Sequence, residues 1–183
     1  KPARGKPFLN NGDFLFVGRL LKSKGLTMVL DSFIAGGFKS TTLNIVGDSD
    51  FGNSDSFTQD EIDSYVMQSN GMIKFHGYQS NLSKYYTPGA VYISASHREG
   101  LPFSVLEALD NGLVCILSRV PGHRDLGKLE NVMLFDNQHE LANLMKKRTN
   151  ATSVLEYKAQ LKIFSKESVK SEIKNIYKLI WGQ

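Results

Sequence analysis

The sequence contains a single cysteine, which excludes a fold held together by disulfide bonds. Cys115 lies in the apolar run at residues 113–117, and this setting predicts a buried structural thiol rather than a nucleophile. No apolar run approaches the roughly 20 residues that are needed to span a bilayer. Residues 1–11 also lack the apolar segment of a secretory signal. Together these absences predict a cytoplasmic protein.

Acidic and basic residues nearly balance over most of the chain, and the formal net charge of +4 arises near its end. Residues 144–183 carry a net charge of +6, whereas residues 1–143 carry −2. A basic tail of this kind is typical either of a solvated helix face or of a segment that binds anionic lipid or nucleic acid. The length of 183 residues indicates one domain with a substantial core.

Short apolar runs alternate with segments of helical periodicity along the chain. We predict residues 1–11 to be a leader or linker and residues 12–183 to form one domain, with 166–183 as a C-terminal helix. The order of elements predicts an α/β fold with a doubly wound, Rossmann-like parallel sheet and helices on both faces. About six strands are expected, at residues 13–18, 42–47, 72–75, 90–94, 113–117 and, more weakly, 131–135. Helices are expected from residue 26, over 58–68 and 81–86, from residue 102, from residue 137 and in the tail.

Two carboxylates flank the predicted start of the helix after the fourth strand. Pro102 suits the first helical turn, which leaves Glu99 in the preceding loop and puts Glu107 within the helix. The free N–H groups at a helix start attract an anion such as phosphate, while carboxylates accept hydrogen bonds from hydroxyl groups. On spacing alone, a ligand site and two solvated surface acids remain alternatives.

Polar residues follow the successive strands of the predicted sheet. In a doubly wound sheet, ligands bind beyond the carboxyl ends of the strands, so these residues are expected at one crevice. Two cations, a helix start and two carboxylates at one crevice favour a nucleotide diphosphate joined to a sugar. The residues in question are Arg19, Lys24, Asp48, His76, Gly77, Glu99 and Glu107.

Other polar patterns do not predict catalytic or metal chemistry. Nothing near His76 in sequence pairs with it as a general base would require, so we interpret it as a structural turn residue. The remaining histidines lack the short spacing of a zinc site, and the acidic residues at 48–55 lack the twelve-residue calcium pattern. We therefore expect no metal and no cofactor.

Four motifs, in the right order on the predicted loops, resemble the C-terminal, donor-binding domain of retaining glycosyltransferases of family four (glycosyl transferases group 1). They are Gly18-Arg19 with Lys24-Gly25, Phe75-His76-Gly77-Tyr78, Glu99 with Glu107, and Val120-Pro121-Gly122-His123-Arg124. The resemblance spans about residues 12–183 and implies one half of a GT-B fold. It also implies a retaining enzyme of the hexosyltransferase type that transfers a sugar from a UDP- or GDP-linked donor to an acceptor hydroxyl.

The resemblance assigns the site residues as follows. Arg19 and Lys24, after Gly18, bind the donor's diphosphate and stabilise its charge as the glycosidic bond breaks, with Glu99 as the third catalytic residue. Glu99 holds hydroxyls of the transferred sugar, helped by backbone groups at Gly100, Leu101 and Pro102. Glu107 binds the ribose, and the backbone at Gly77 and Tyr78 holds the base.

The sequence also departs from that family. The N-terminal domain that supplies the acceptor site is missing, so we expect this chain alone to be inactive. Residues 166–183 are expected to pack either on that missing domain or on this one. The loop at 47–52 is longer and more acidic than the usual glycine-rich turn, which leaves its donor contacts open.

The resemblance places the enzyme in bacterial surface polysaccharide synthesis. The acceptor is then a glycan or a lipid-linked sugar, with peripheral contact at the inner face of the membrane and no nucleic acid partner. Two alternatives remain. One is a nucleotide-sugar epimerase of GT-B-like fold, and the other is a non-catalytic module whose basic tail binds anionic lipid or nucleic acid.

Overall fold

A computed structural model describes residues 12–87, 89–100, 102–129 and 131–149, together with the isolated positions 171, 174, 175 and 178. Within these residues the chain alternates strands and helices, as predicted. The strands are β1 (Phe14–Val17), β2 (Leu43–Val46), β3 (Ile73–Phe75), β4 (Val91–Ser94), β5 (Val114–Ser118) and β6 (Val132–Phe135). The helices are α1 (Leu26–Gly36), α2 (Gln59–Gln68), α3 (Phe103–Asp110), α4 (Pro121–Arg124) and α5 (Gln138–Thr149). Two 3₁₀ turns lie at Lys22–Lys24 and Asp125–Lys128.

The six strands form one parallel sheet in the order β3-β2-β1-β4-β5-β6. The chain moves outward from β1 to β3, returns to pair β4 beside β1, and then moves outward in the opposite direction. The crevice at the carboxyl ends of β1 and β4 is therefore the point where strand order reverses, which is where doubly wound sheets bind ligands. This confirms the predicted fold class.

Side chains that alternate along the strands fill a core on each face of the sheet. Phe14 and Phe16 of β1 face one core, which α1 and α5 cover, whereas Leu15 faces the other, beneath α3. β4 and β5 are buried along their whole length, as expected for central strands of a parallel sheet. Cys115 lies in the second core, and burial raises the pKa of its thiol, which confirms the predicted structural role.

The capping-box pattern, a Thr or Asn N-cap with Glu three residues later, occurs at the starts of α2 and α5, and at α2 it is complete. The Thr58 hydroxyl accepts the Glu61 N–H, while the Glu61 carboxylate accepts the Thr58 N–H at 2.8 Å, so the start of α2 is doubly satisfied. At the start of α5 only half of the box forms: the Asn137 side chain accepts the Glu140 N–H at 3.0 Å, whereas the Glu140 carboxylate accepts the N–H of Asp136 rather than that of Asn137. These local signals define both helix starts correctly.

Two local predictions are wrong. Residues 81–86 form a single turn rather than a helix: the Tyr85 N–H donates to the Leu82 carbonyl at 2.9 Å, while the Asn81 side chain caps the turn by accepting the Ser83 N–H at 2.9 Å. α3 begins at Phe103 rather than at Pro102, which is its N-cap; the Pro102 carbonyl accepts the Leu106 N–H. The predicted tail helices, including 166–183, lie outside the continuously described residues.

Candidate functional site

A cavity of about 760 Å³ opens at the carboxyl edge of the sheet. Its volume falls within the roughly 300–1,000 Å³ that is usual for small-molecule sites. The loops after β1, β2 and β3 contribute to it, and so does α3. The residues that line the cavity include Gly18, Arg19, Asp48, Asp50, Tyr78, Tyr86 and Glu107.

The loop after β1 carries the predicted cations and lies tightly against the loop after β4. Gly25 adopts a left-handed conformation with φ of 70°, and a Cβ there would collide with the Ala95 carbonyl oxygen. The Ser23 carbonyl accepts the His97 N–H at 3.1 Å. These contacts bring Lys24 to Glu99.

Lys24 and Glu99, 75 residues apart in sequence, form an ion pair with 2.8 Å between Nζ and Oε1. The side chains are 32% and 15% exposed, so the pair is shielded from solvent. Burial alone would raise the pKa of Glu99, but hydrogen bonds from Lys24 and Ser96 outweigh it and hold that pKa below the usual value. Glu99 is therefore ionised at neutral pH.

The Arg19 guanidinium forms the second ion pair of the site, with Asp50. The distance between Nη1 and Oδ2 is 2.8 Å, and the two side chains are 63% and 36% exposed. Asp50 belongs to the segment 48–57, which we call the acidic loop. Both cations that the sequence assigned to the site, Arg19 and Lys24, are thus paired with carboxylates.

The acidic loop is bound to the first loop along much of its length. The Asp55 carboxylate accepts hydrogen bonds from the Ser23 hydroxyl and N–H, and these bonds lower the pKa of Asp55. The Phe57 N–H donates to the Leu20 carbonyl at 2.9 Å, and the Lys22 N–H donates to the Asp55 carbonyl at 2.9 Å. The two loops therefore form one hydrogen-bonded unit.

Glu107 reaches the cavity from α3 and lies near Tyr86. Burial raises the pKa of Tyr86, and the negative charge of Glu107 raises it further, so the hydroxyl stays protonated. The Tyr92 hydroxyl lies 2.8 Å from Ser104 Oγ and donates to the Val17 carbonyl at 3.3 Å, which ties α3 to the end of β1. Because Glu107 belongs to α3, these contacts also hold Glu107 at the crevice.

The backbone at Gly77 and Tyr78 is already engaged within the protein. The Gly77 carbonyl accepts the Gly47 N–H at 2.9 Å, and the Tyr78 N–H donates to Asp48 Oδ1 at 2.7 Å. The Tyr78 side chain is 71% exposed and lines the cavity, which makes its ring available for stacking. His76 Nε2 lies 2.8 Å from the Asn44 side-chain oxygen, in keeping with its predicted structural role.

The start of α3 has no side-chain cap, so its first N–H groups receive no hydrogen bond from the side chain of the N-cap residue. Pro102 and Gly100 flank this start, and Leu101 lies outside the described residues. The loop at Gly100 is supported from α4, because a Cβ on Gly122 would collide with the Glu99 and Gly100 carbonyl oxygens. Close packing thus fixes the backbone beside Glu99.

His123 belongs to the fourth motif, but its spacing from other residues in the sequence predicted no function for its side chain. It is fully buried, and its Nδ1 donates to the Ser118 carbonyl at 2.9 Å. Burial lowers the pKa of His123, so the ring is neutral at physiological pH. Within the described part of the chain, its Nε2 has no hydrogen-bond partner.

The structure thus places Gly18, Arg19, Tyr78 and Glu107 around one cavity and joins Lys24 to Glu99 as a shielded pair. Such groups can neutralise an anion and accept hydrogen bonds from hydroxyls. Among the described residues, no group of three or more histidine, cysteine or acidic side chains could hold a metal ion. None of the described helices is long and apolar enough to cross a membrane.

Solved structures of glycosyltransferases share this architecture. The apo lipopolysaccharide outer core galactosyltransferase WaaB is 21% identical, with a TM-score of 0.63 over 99% of this chain and 51% of its own. WaaG, a glycosyltransferase involved in lipopolysaccharide biosynthesis, is 14% identical, with a TM-score of 0.66 over 94% of this chain and 48% of its own. The catalytic domain of cholesterol-α-glucosyltransferase from Helicobacter pylori is 16% identical, with a TM-score of 0.64 over 87% of this chain and 99% of its own. This chain therefore has the Rossmann-like fold of one half of a GT-B enzyme and spans about half the length of WaaB and WaaG.

At the level of sequence, no curated protein gives a significant match. The profile of the family described as glycosyl transferases group 1 matches residues 11–149, which is more than half of the chain. The order of the four motifs, the sheet topology and this match agree. The chain belongs to the glycosyl transferases group 1 family.

Proposed function

We propose that this chain is the donor-binding half of a retaining glycosyltransferase that takes its sugar from a nucleoside diphosphate sugar. The observation that carries the proposal is that Arg19 and Glu107 line one cavity, while the Lys24–Glu99 pair joins the loops after β1 and β4, where strand order reverses. A diphosphate requires cations, and a ribose and a sugar require hydroxyl acceptors. The crevice supplies both.

The proposed reaction breaks the bond between the anomeric carbon and the diphosphate oxygen and forms a bond from that carbon to the acceptor oxygen. The acceptor proton passes to the leaving phosphate oxygen, and the new bond forms on the same face of the sugar. Negative charge grows on the diphosphate as the bond breaks. Arg19 and Lys24 stabilise that charge, which is electrostatic catalysis by groups already in place.

Glu99 and Glu107 serve in this proposal as two separate binding groups rather than as an acid and base pair. Lys24 and Ser96 keep the pKa of Glu99 low despite its burial, so Glu99 accepts hydrogen bonds from sugar hydroxyls instead of donating a proton. Glu107, which lines the cavity, accepts hydrogen bonds from the ribose. The exposed Tyr78 ring lies where it can stack on the base.

The biological setting we propose is the synthesis of a bacterial surface polysaccharide at the inner face of the membrane. It is supported by the printed functions of WaaB and WaaG, both of which concern lipopolysaccharide. Because the chain spans about half the length of these proteins, we propose that the acceptor binds mainly to a second domain. The isolated chain is then expected to bind donor without transferring sugar.

Calorimetric titration of the chain with UDP, GDP and their sugars tests the proposal. We expect saturable binding of at least one nucleoside diphosphate and weaker binding of the corresponding nucleoside, because the cations contribute only to the former. Lys22→Ala is a control that should leave diphosphate binding unchanged. Lys22 belongs to the same loop as Arg19 and Lys24 but pairs with Glu61 on α2, at 2.9 Å. A folded sample that binds none of these ligands would refute the proposed function.

A further inference from the structure

Asp50 is paired with Arg19, which is one of the two cations on which the proposed function depends. We propose that Asp50 is a built-in competitor, which holds Arg19 until the donor's diphosphate displaces it and so lowers donor affinity. This inference rests on the proposed function, and it concerns a residue of the acidic loop for which the sequence assigned no role.

Asp50 is held in position by its own loop. Its N–H donates to the Ser56 hydroxyl oxygen at 2.9 Å, and the Asn53 amide donates to Asp50 Oδ2 at 3.1 Å. That same oxygen receives the Arg19 hydrogen bond. These bonds hold the carboxylate beside the guanidinium.

Exposure makes the pair weak enough to be displaced. Both side chains are more than a third exposed, and ion pairs in such positions contribute little because water screens them. A diphosphate carries more negative charge than one carboxylate and presents several acceptor oxygens to the planar guanidinium fork. Arg19 can thus exchange Asp50 for the donor, at the cost of the bond to Asp50.

The opposite role for Asp50 is also testable. A carboxylate that merely orients Arg19 for the ligand would raise donor affinity, so its removal would weaken binding. A carboxylate that competes would lower affinity, so its removal would strengthen binding. The sign of the change in donor affinity therefore distinguishes the two roles. A variant with a damaged fold would bind less tightly, so damage to the fold cannot produce the tighter binding that a competing role predicts.

The experiment compares wild type, Asp50→Asn, Arg19→Ala and the double variant by calorimetric titration with UDP, GDP and the matching nucleosides. We expect Asp50→Asn to bind the diphosphate about two- to fivefold more tightly, with nucleoside binding unchanged. In the Arg19→Ala background the gain should vanish. Asp63→Asn is the matched control, because it removes the same charge from the exposed face of α2. Circular dichroism of each variant establishes that it is folded.

Weaker or unchanged diphosphate binding by Asp50→Asn would overturn the inference while leaving the proposed function intact. A gain that persists in the Arg19→Ala background would also overturn it, because the effect would then be direct repulsion of the ligand. Absence of binding by wild type would instead reject the proposed function, and the inference with it.

Discussion

Replacing Lys24 with alanine should separate the two tasks of this side chain, which are to neutralise Glu99 and to bind the diphosphate. Removal leaves Glu99, only 15% exposed, without its cation. Breaking a buried pair costs about 3–5 kcal/mol and an exposed one about 0–1 kcal/mol, so this intermediate pair should cost about 1–3 kcal/mol of unfolding free energy at neutral pH.

The cost should depend on pH with a definite sign. The pKa of Glu99 lies below its ordinary value of 4.5 in the wild type, so this residue contributes stability above that pH and loses it as the pH falls through the lowered pKa. Without Lys24 the pKa of Glu99 moves upward, since burial is then opposed mainly by Ser96. The stability difference between wild type and variant should therefore be largest at neutral pH and shrink as Glu99 becomes protonated.

Urea denaturation from about pH 7 down to about pH 4 measures this difference. The Lys24→Ala/Glu99→Gln double variant should recover part of the lost stability, because no carboxylate then remains buried. Lys22→Ala, from an exposed pair in the same loop, should change stability by less than about 0.5 kcal/mol. A Lys24→Ala penalty that stays constant across this pH range would refute the reasoning.

Ligand titration of the same variant addresses the second task. Loss of a charge-assisted bond should weaken nucleoside diphosphate binding by about 1–3 kcal/mol, or about 5- to 150-fold. Binding of the nucleoside alone should not change. An equal loss for both ligands would show that Lys24 acts through the fold of the site and not on the diphosphate.

Two further substitutions test other parts of the site. Glu107→Gln should weaken nucleoside and nucleoside diphosphate binding by the same factor, since the proposed contact is to the ribose; a loss confined to the diphosphate would contradict that contact. Gly122→Ala should lower the free energy of unfolding by about 1–3 kcal/mol, because its Cβ would collide with the carbonyls of Glu99 and Gly100. Gly100→Ala, whose Cβ would meet open space, is the control for thermal unfolding and should be nearly neutral.

The sequence predicted the fold well because its signals are local. Short apolar runs, helical periodicity and the capping residues Thr58 and Asn137 each mark an element without reference to the rest of the chain. The prediction of a helix over 81–86 failed because the segment forms only one turn, closed by the Tyr85 N–H on the Leu82 carbonyl, and a helix must extend beyond its first turn to offset the cost of nucleation.

The site was predictable only in part. Strand order places Lys24 and Glu99 at one edge, but whether two side chains meet depends on loop conformations that sequence spacing does not encode. The Arg19–Asp50 pair likewise arises from how the acidic loop folds back on the first loop. His123 was overlooked as a buried group because burial, and the lack of a partner for Nε2 among the described residues, are properties of packing.

The bonds between the acidic loop and the first loop have a consequence for local unfolding. The amides of Lys22, Ser23 and Phe57 all donate across the boundary between these loops. Opening either loop breaks the same bonds, so the pair should open as one cooperative unit, and these three amides should show a common free energy of opening in hydrogen exchange once the intrinsic exchange rate of each is taken into account. A contact that stabilises the acidic loop therefore also opposes the opening of the first loop, and the reverse is equally true.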